Sequence, residues 1–184
     1  MNFDEVKKEI EEIFKKSPLS NDPDHSKHTL ECLLRLKPDA DEVLQIAALA
    51  HDIQRGFIEW KDISKGGLDI TGKEYLRPHE EGGAEIIGEI LKKYNIDNNF
   101  IEKVKRLVAR HEEGGDDDQN LIKDADSFSF FEKFIPDFLS RALVFGKEMS
   151  RKKINWMYNR ITSDKVKEMT QENYKKAIKD LEAL

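Results

Sequence analysis

The stretch Ile46-Ala47-Ala48-Leu49-Ala50-His51-Asp52-Ile53 decides how the rest of the chain is read. Its first five residues form an apolar run that belongs in a core. An imidazole and a carboxylate at the polar end of such a run need partners, because an unpaired buried carboxylate is expensive. A metal cation is the partner that suits both.

Working outward, a helix from about Ala40 carries Val43, Leu44, Ile46, Ala47, Leu49 and Ala50, apolar almost all round, which predicts the central buried helix. Lys37-Pro38-Asp39 is the turn before it. The preceding helix carries Thr29, Cys32, Leu33 and Leu36, with Asn21-Asp22-Pro23-Asp24 offering cap residues. The first helix, within Met1 to Lys16, is amphipathic through Phe3, Val6, Ile10, Ile13 and Phe14 and ends at Ser17-Pro18. After Asp52 the pattern weakens through Gly56, Gly66-Gly67 and Gly72 to Pro78, a long connection of the kind that often serves function. A fourth helix starts near Pro78 with Ile86, Ile87, Ile90, Leu91 and Tyr94 on one face, and Asn95 to Asn99 turns the chain. A fifth runs from Phe100 to Gly114-Gly115. Asp116 to Asp118 offer caps for a sixth, which bears Leu121, Ile122, Ala125, Phe128 and Phe131 and is interrupted by Pro136. Two further amphipathic helices, roughly 137–160 with a break and 164–183, complete the chain, and no segment has a period-two strand pattern. The expected fold is all-α: one compact helical bundle over 1–184, with a motif-bearing core at about 20–135 and additional C-terminal helices at about 136–184.

Composition agrees. The chain has 184 residues, 38% hydrophobic and 37% charged, with ten Gly and five Pro, enough for one well-cored helical domain. No apolar run approaches the roughly 18 residues of a membrane span, and the charged first helix does not read as a signal peptide. Cys32 is the single cysteine, so no internal disulfide forms, and its setting between Leu30 and Leu33 predicts a buried thiol in a reducing cytoplasm. A net charge of −6 argues against binding to a nucleic-acid backbone, and the basic cluster Arg151-Lys152-Lys153 reads as a solvated helix face. Phe128, Phe130, Phe131, Phe134, Phe138 and Trp156 form core or a homodimer surface, with core favoured.

There are five histidines: His25, His28, His51, His79 and His111. In a hairpin turning about Pro38, His25 lies 13 residues before the turn and His51 lies 13 after it, so they share one end. In a hairpin about Asn95, His79 and His111 each lie 16 residues away and also share an end. Taken alone, each His is more simply a hydrogen-bonded core or capping residue, and Asp24, Asp39 and Asp116 to Asp118 are helix caps. The joint pattern points to one site at which four imidazoles meet Asp52, with Asp126 of the sixth helix supplying a further carboxylate.

These residues resemble the HD-domain superfamily of metal-dependent phosphohydrolases. His25-Ser26 with Thr29, Ala47-Ala48-Leu49-Ala50-His51-Asp52-Ile53, His79-Glu80-Glu81-Gly82-Gly83, His111-Glu112-Glu113 and Asp124-Ala125-Asp126 are similar to its five motifs, in order. The motifs cover about 100 residues and leave out the C-terminal helices. His25 and His28 are one turn apart and either can be the first ligand by spacing; the His-Ser-x-x-Thr context favours His25 and leaves His28 as a supporting or phosphate-contacting group. Asp126 is favoured over Asp124 on the same ground.

The resemblance implies that His25, His51, Asp52 and Asp126 hold one metal and that His79 and His111 hold a second, bridged by Asp52. Mn, Fe, Co, Ni or Zn all suit such donors. It implies hydrolysis of a phosphomonoester or phosphodiester by a metal-bound hydroxide, the substrate being a nucleotide or other small phosphorylated metabolite. Arg55, Lys73 and Arg77 are candidates for contacting the phosphate, with surface salt bridging as the equally weighted reading. Glu80 is a candidate proton handler, while Glu112 reads as surface charge. Two other readings keep the same ligands: a di-iron oxygenase of the inositol-oxygenase type, and a regulatory module that binds a nucleotide without cleaving it. A Gly-Tyr-Pro-type cyclic-dinucleotide phosphodiesterase is disfavoured, because Glu112-Glu113-Gly114-Gly115-Asp116 carries no such tripeptide.

Overall fold

A computed structural model describes residues 3–59, 61 and 69–184. The elements are α1 (Phe3–Phe14), α2 (Asp22–Leu36), α3 (Glu42–Ala50), a 3-10 turn (Ile53–Phe57), α4 (Lys73–Lys93), α5 (Asn98–Val108), α6 (Asp117–Ser129), a π turn (Phe130–Phe134), α7 (Ile135–Ser140), α8 (Ala142–Phe145), α9 (Lys147–Asn159) and α10 (Asp164–Ala183). Among the described residues there is no strand, so the fold is all-α. Gly66 and Gly67 of the expected irregular connection lie outside the described residues.

Side chains mark several helix starts by accepting from backbone N–H groups that have no partner within the helix. Asp41 accepts from Leu44 N, Asp97 from Phe100 N and Ser163 from Val166 N, while Asp116 and Gln119 form a reciprocal capping box. Asp116 therefore caps as expected. Asp39 does not: it pairs with Lys37, and Asp41, nearer the first helical residue, takes that position. Asp24 lies inside the first turn of α2, where a carboxylate faces the positive end of the helix dipole.

Two prolines behave differently from expectation. Helix α4 begins at Lys73, five residues before Pro78, which sits inside it. Pro78 removes the bond that its N–H would give the carbonyl of Glu74, an exposed residue, and the helix continues through it. Pro136 does not end the run from Asp117, because the π turn shifts the hydrogen-bond register ahead of it and α7 starts with the ring in its first turn. The fifth helix is shorter than expected. It ends at Val108, and residues 109–113 form a turn closed by Gly114 N donating to Arg110 O at 2.7 Å, with Gly114 at φ +78°.

Helix α3 lies at the centre, packed against α1, α2, α5 and α6. Ile46, Ala47, Ala48, Leu49 and Ala50 are all buried, as a helix apolar on every side requires. Helices α2 and α3 pack together, as do α4 and α5, giving the two hairpins. Gly83 lets α4 come close to both neighbouring helix ends, since a Cβ there would sit 3.5 Å from His51 O and 3.3 Å from Val108 Cγ1. The five Phe residues from Phe128 to Phe138 named above are buried, and Trp156 is partly buried against the core. No helix of the described residues is long and apolar enough to cross a membrane.

Candidate metal centre

His51 and His111 occupy the same local device. Each follows a helix end, α3 and α5, where the last carbonyls lack intrahelical partners. His51 Nδ1 donates to Ala48 O at 2.8 Å, and His111 Nδ1 donates to Val108 O at 2.7 Å. With the proton on Nδ1, Nε2 of each ring is a lone pair pointing inward. Both Nε2 atoms are buried and have no hydrogen-bond partner among the described residues.

His79 reaches the same state through a side chain. The Gln54 amide donates to Pro78 O at 3.3 Å, so its Oε1 accepts from His79 Nδ1 at 2.9 Å. His79 Nε2 then faces Asp52 Oδ1 at 2.8 Å, lone pair to lone pair unless a cation or proton stands there. His25 Nδ1 bonds to Ser129 Oγ at 3.1 Å and its Nε2 lies 2.9 Å from Asp126 Oδ1. In all four rings the outer nitrogen is fixed and the inner one converges on carboxylates, as in metal sites whose ligand rings are oriented by hydrogen bonds from behind.

Asp52 stands between two triads. Its Oδ2 is 3.2 Å from His51 Nε2 and 3.9 Å from His25 Nε2, while Oδ1 faces His79 and lies 3.6 Å from His111 Nε2. The His25, His51 and Asp52 donors lie within 4.8 Å of one another, and so do those of Asp52, His79 and His111. The chain thus has His/Asp clusters able to hold metal, and their partnerless Nε2 atoms fit a divalent cation.

Charge is concentrated and buried here. Burial pulls the His51 imidazole down, but the Asp52 and Asp126 carboxylates outweigh it and bring it to about 9. Burial pushes Asp52 up, but Arg55 and His51 hold it well below the usual carboxylate range. Burial, with the Arg160 and Arg55 cations beside it, lowers Lys153 against the pull of Glu112, and burial raises Glu80. Glu112 is pushed up by burial and pulled down further by Lys153 and Arg160, to about 2.

The other residues singled out from sequence fall into two groups. Arg55 is near the centre, its Nη1 2.5 Å from Asp52 Oδ2 and 3.2 Å from Asp22 Oδ1. His28 is outside it, with Nε2 3.2 Å from Glu132 and Nδ1 on Ser129 Oγ; the structure brings His25, and not His28, to Asp52 and Asp126. Asp124 points away and accepts from Thr162 N, Thr162 Oγ1 and Ser163 N, anchoring the start of α10. Lys73 is exposed, and Arg77 is exposed and paired with Glu81 at 3.3 Å. Glu80 Oε1 accepts from Glu112 N at 2.8 Å and so fastens the 109–113 turn. Cys32 is a buried thiol, pushed up to about 12 by that burial.

Two expectations are corrected. Glu112 is buried, 4% exposed, and ion-paired with Arg160, because the helix that would have carried it outward has already ended. The basic cluster is solvated only in part: Arg151 and Lys152 pair with Glu182 and Asp69, but Lys153 turns inward beside Glu112. Arg160 was not singled out from sequence, yet it binds Glu112, Asp126 and Ser127 Oγ together. The signal existed in the spacing of Lys153, Met157 and Arg160, which share one helix face.

Beside the centre lies a cavity of about 110 Å³, lined by His25, Asp126, Arg55 and Glu112 together with aromatic side chains, of which Phe134 sits edge-on to His25 at 5.0 Å. A family model described as a domain of unknown function, DUF4202, matches residues 3–181. The chain belongs to that family. The DUF4202 chain matches no curated protein. It is similar to a crystal structure described as a predicted HD superfamily hydrolase from an uncultured Thermotogales bacterium, at 18% identity and a TM-score of 0.58, over 99% of this chain and 90% of that one. The DUF4202 chain shares that fold.

Proposed function

We propose that this protein is a metal-dependent phosphohydrolase acting on a small phosphoester, such as a nucleotide or another phosphorylated metabolite. The observation that carries the reading is the pair of buried, partnerless Nε2 atoms of His51 and His111 beside Asp52, in a cluster whose His25 and Asp126 line a cavity that also presents Arg55 and Lys153. On this reading His25, His51, Asp52 and Asp126 hold one divalent metal and Asp52, His79 and His111 hold a second. Bound metal supplies two things: it lowers the pKa of water from 15.7 to roughly 7, and it neutralises phosphate charge.

The chain's own residues do the rest. Arg55 keeps Asp52 ionised and oriented, and Arg160 holds the outer oxygen of Asp126 so that Oδ1 faces the imidazoles. Glu112, ionised and paired, is an orienting group and not a proton donor. Glu80 holds the His111 turn, which makes it a positioning residue. The aromatic wall excludes water from the reacting phosphate.

Elemental analysis of the purified protein, with phosphate release measured on mono- and diesters with and without added Mn, tests the reading. One or two transition metals per chain, phosphate release from the wild type and loss of both in Asp52→Ala are expected. Full activity in Asp52→Ala would overturn it, and two irons with oxygen uptake but no phosphate release would replace it with the oxygenase.

A further inference from the structure

The motifs at the centre end at Asp126, yet much of the cavity is built by residues beyond it. Phe130, Phe134 and Phe138 follow one another at four-residue steps through the π turn and α7, are all but buried, and face the cavity as a ladder of rings. Phe145 stacks on Phe138 at 6.4 Å and 13° and continues the wall. Such a surface offers hydroxyl groups no partners, and a sugar laid on it would leave its hydroxyls unbonded at a cost. A flat ring loses nothing there and gains the burial.

Two further cations, Arg141 and Lys153, line the same cavity. Arg141 is half-buried and lines the cavity; its hydrogen bond is to Asn21 Oδ1 at 3.4 Å, and among the described residues no carboxylate lies within ion-pair distance of it. Lys153 Nζ is 4.0 Å from Glu112 Oε1, but Glu112 is already held by Arg160, and the ammonium rests 4.3 Å above the Trp156 ring. A guanidinium sheltered without a carboxylate is costly unless an anion comes to it. The charge balance agrees. Arg55, Arg141, Lys153 and Arg160 are matched by Asp22, Asp52, Glu112 and Asp126 around the cavity. Each divalent cation held among the imidazoles would add positive charge to this balanced set, which a phosphate dianion would offset.

We infer that Arg141 and Lys153 form the anion seat of the cavity and that the Phe130, Phe134 and Phe138 ladder takes an aromatic ring, so that the substrate is a phosphorylated compound bearing such a ring. Turnover of that compound rests on the hydrolase reading; its binding does not.

The test is calorimetric titration of the metal-loaded protein with phenylphosphonate and methylphosphonate, which are not hydrolysed, on the wild type, Arg141→Gln, Lys153→Met and Phe138→Leu. Phenylphosphonate should bind about tenfold tighter than methylphosphonate or better. Each cation variant should weaken both ligands about tenfold, and Phe138→Leu should narrow the gap between them. Arg141→Gln removes a charge without uncovering a buried carboxylate, so it carries the test if Lys153→Met unfolds by releasing Glu112; circular dichroism and metal content identify that case. Equal affinity for the two phosphonates, or unchanged affinity in folded Arg141→Gln, overturns the inference. Tight phenylphosphonate binding with no phosphate release from aryl or alkyl mono- or diesters upholds the seat and removes the hydrolase reading. Faster hydrolysis of glucose 6-phosphate than of phenyl phosphate upholds the hydrolase and removes the ring site.

Discussion

His51 and His111 are capping residues and candidate ligands at once, because the nitrogen that bonds the helix end is not the one that faces Asp52. The reading of a lone histidine as a cap and the reading as a ligand are therefore both satisfied at these two positions. A consequence follows for pH. His51 is brought to about 9 from an ordinary value of 6.5, so its protonation stabilises the metal-free protein fully below pH 6.5 and that stabilisation fades as pH rises through 9. The difference corresponds to about 3 kcal/mol. Metal competes with the same proton, so affinity should climb across this window and binding should release protons into a weakly buffered solution. Calorimetry in buffers of different ionisation enthalpy, at pH 7 and pH 9, reads this directly: close to one proton released from His51 at pH 7 and about half of one near pH 9 are expected, and no proton release at pH 7 contradicts it. The six residues that meet at the centre were all legible from their spacing and motifs. Glu112 and Arg160 were not, since burial of a charged residue depends on where a helix stops and on which distant cation arrives, and neither is local information.

At the scale of elements, hairpin geometry was readable because histidines equidistant from a turn must share an end, and the packing of α2 on α3 and α4 on α5 follows it. The prolines were harder. Pro78 lies inside α4 and Pro136 in the first turn of α7, directly after the π turn, and neither ends the run it sits in. The C-terminal helices carried no motif, yet α9 leads to Arg160, which is bound to Glu112 on one side and to Asp126 on the other. Arg160→Ala should strand two buried carboxylates and cost about 3–5 kcal/mol. Arg160→Lys, which keeps the charge but cannot span both, should recover part of the stability while leaving metal affinity reduced, because Asp126 loses its orientation. Denaturant unfolding beside metal titration separates the two effects; equal metal affinity in wild type and Arg160→Lys would mean that Arg160 serves stability alone.

Across the whole molecule, the converging side chains come from α2, the end of α3, α4, the turn after α5, and α6, so a cation at the centre ties together five parts of one bundle. Ligands that bind only the folded state stabilise it by mass action, by about 2.7 kcal/mol at a hundredfold excess over Kd. For a domain of this size that corresponds to roughly 5–10 °C in melting temperature. Chelation should lower the midpoint by that amount and re-addition of metal should restore it, whereas an unchanged melting curve would argue that no cation is bound. The all-α architecture was legible in the helical periodicity of nearly every segment, and the aromatic ladder was readable as core but not as a cavity wall, since a buried ring looks the same from sequence in either role. The order of the chain adds one thing more. All six donors precede residue 127, while Arg141, Lys153 and Arg160 follow it. During synthesis the collecting half of the centre leaves the ribosome before the discriminating half, so a product that terminated at the end of α6 would own every donor for a cation and none of Arg141, Lys153 and the aromatic wall with which to choose an anion.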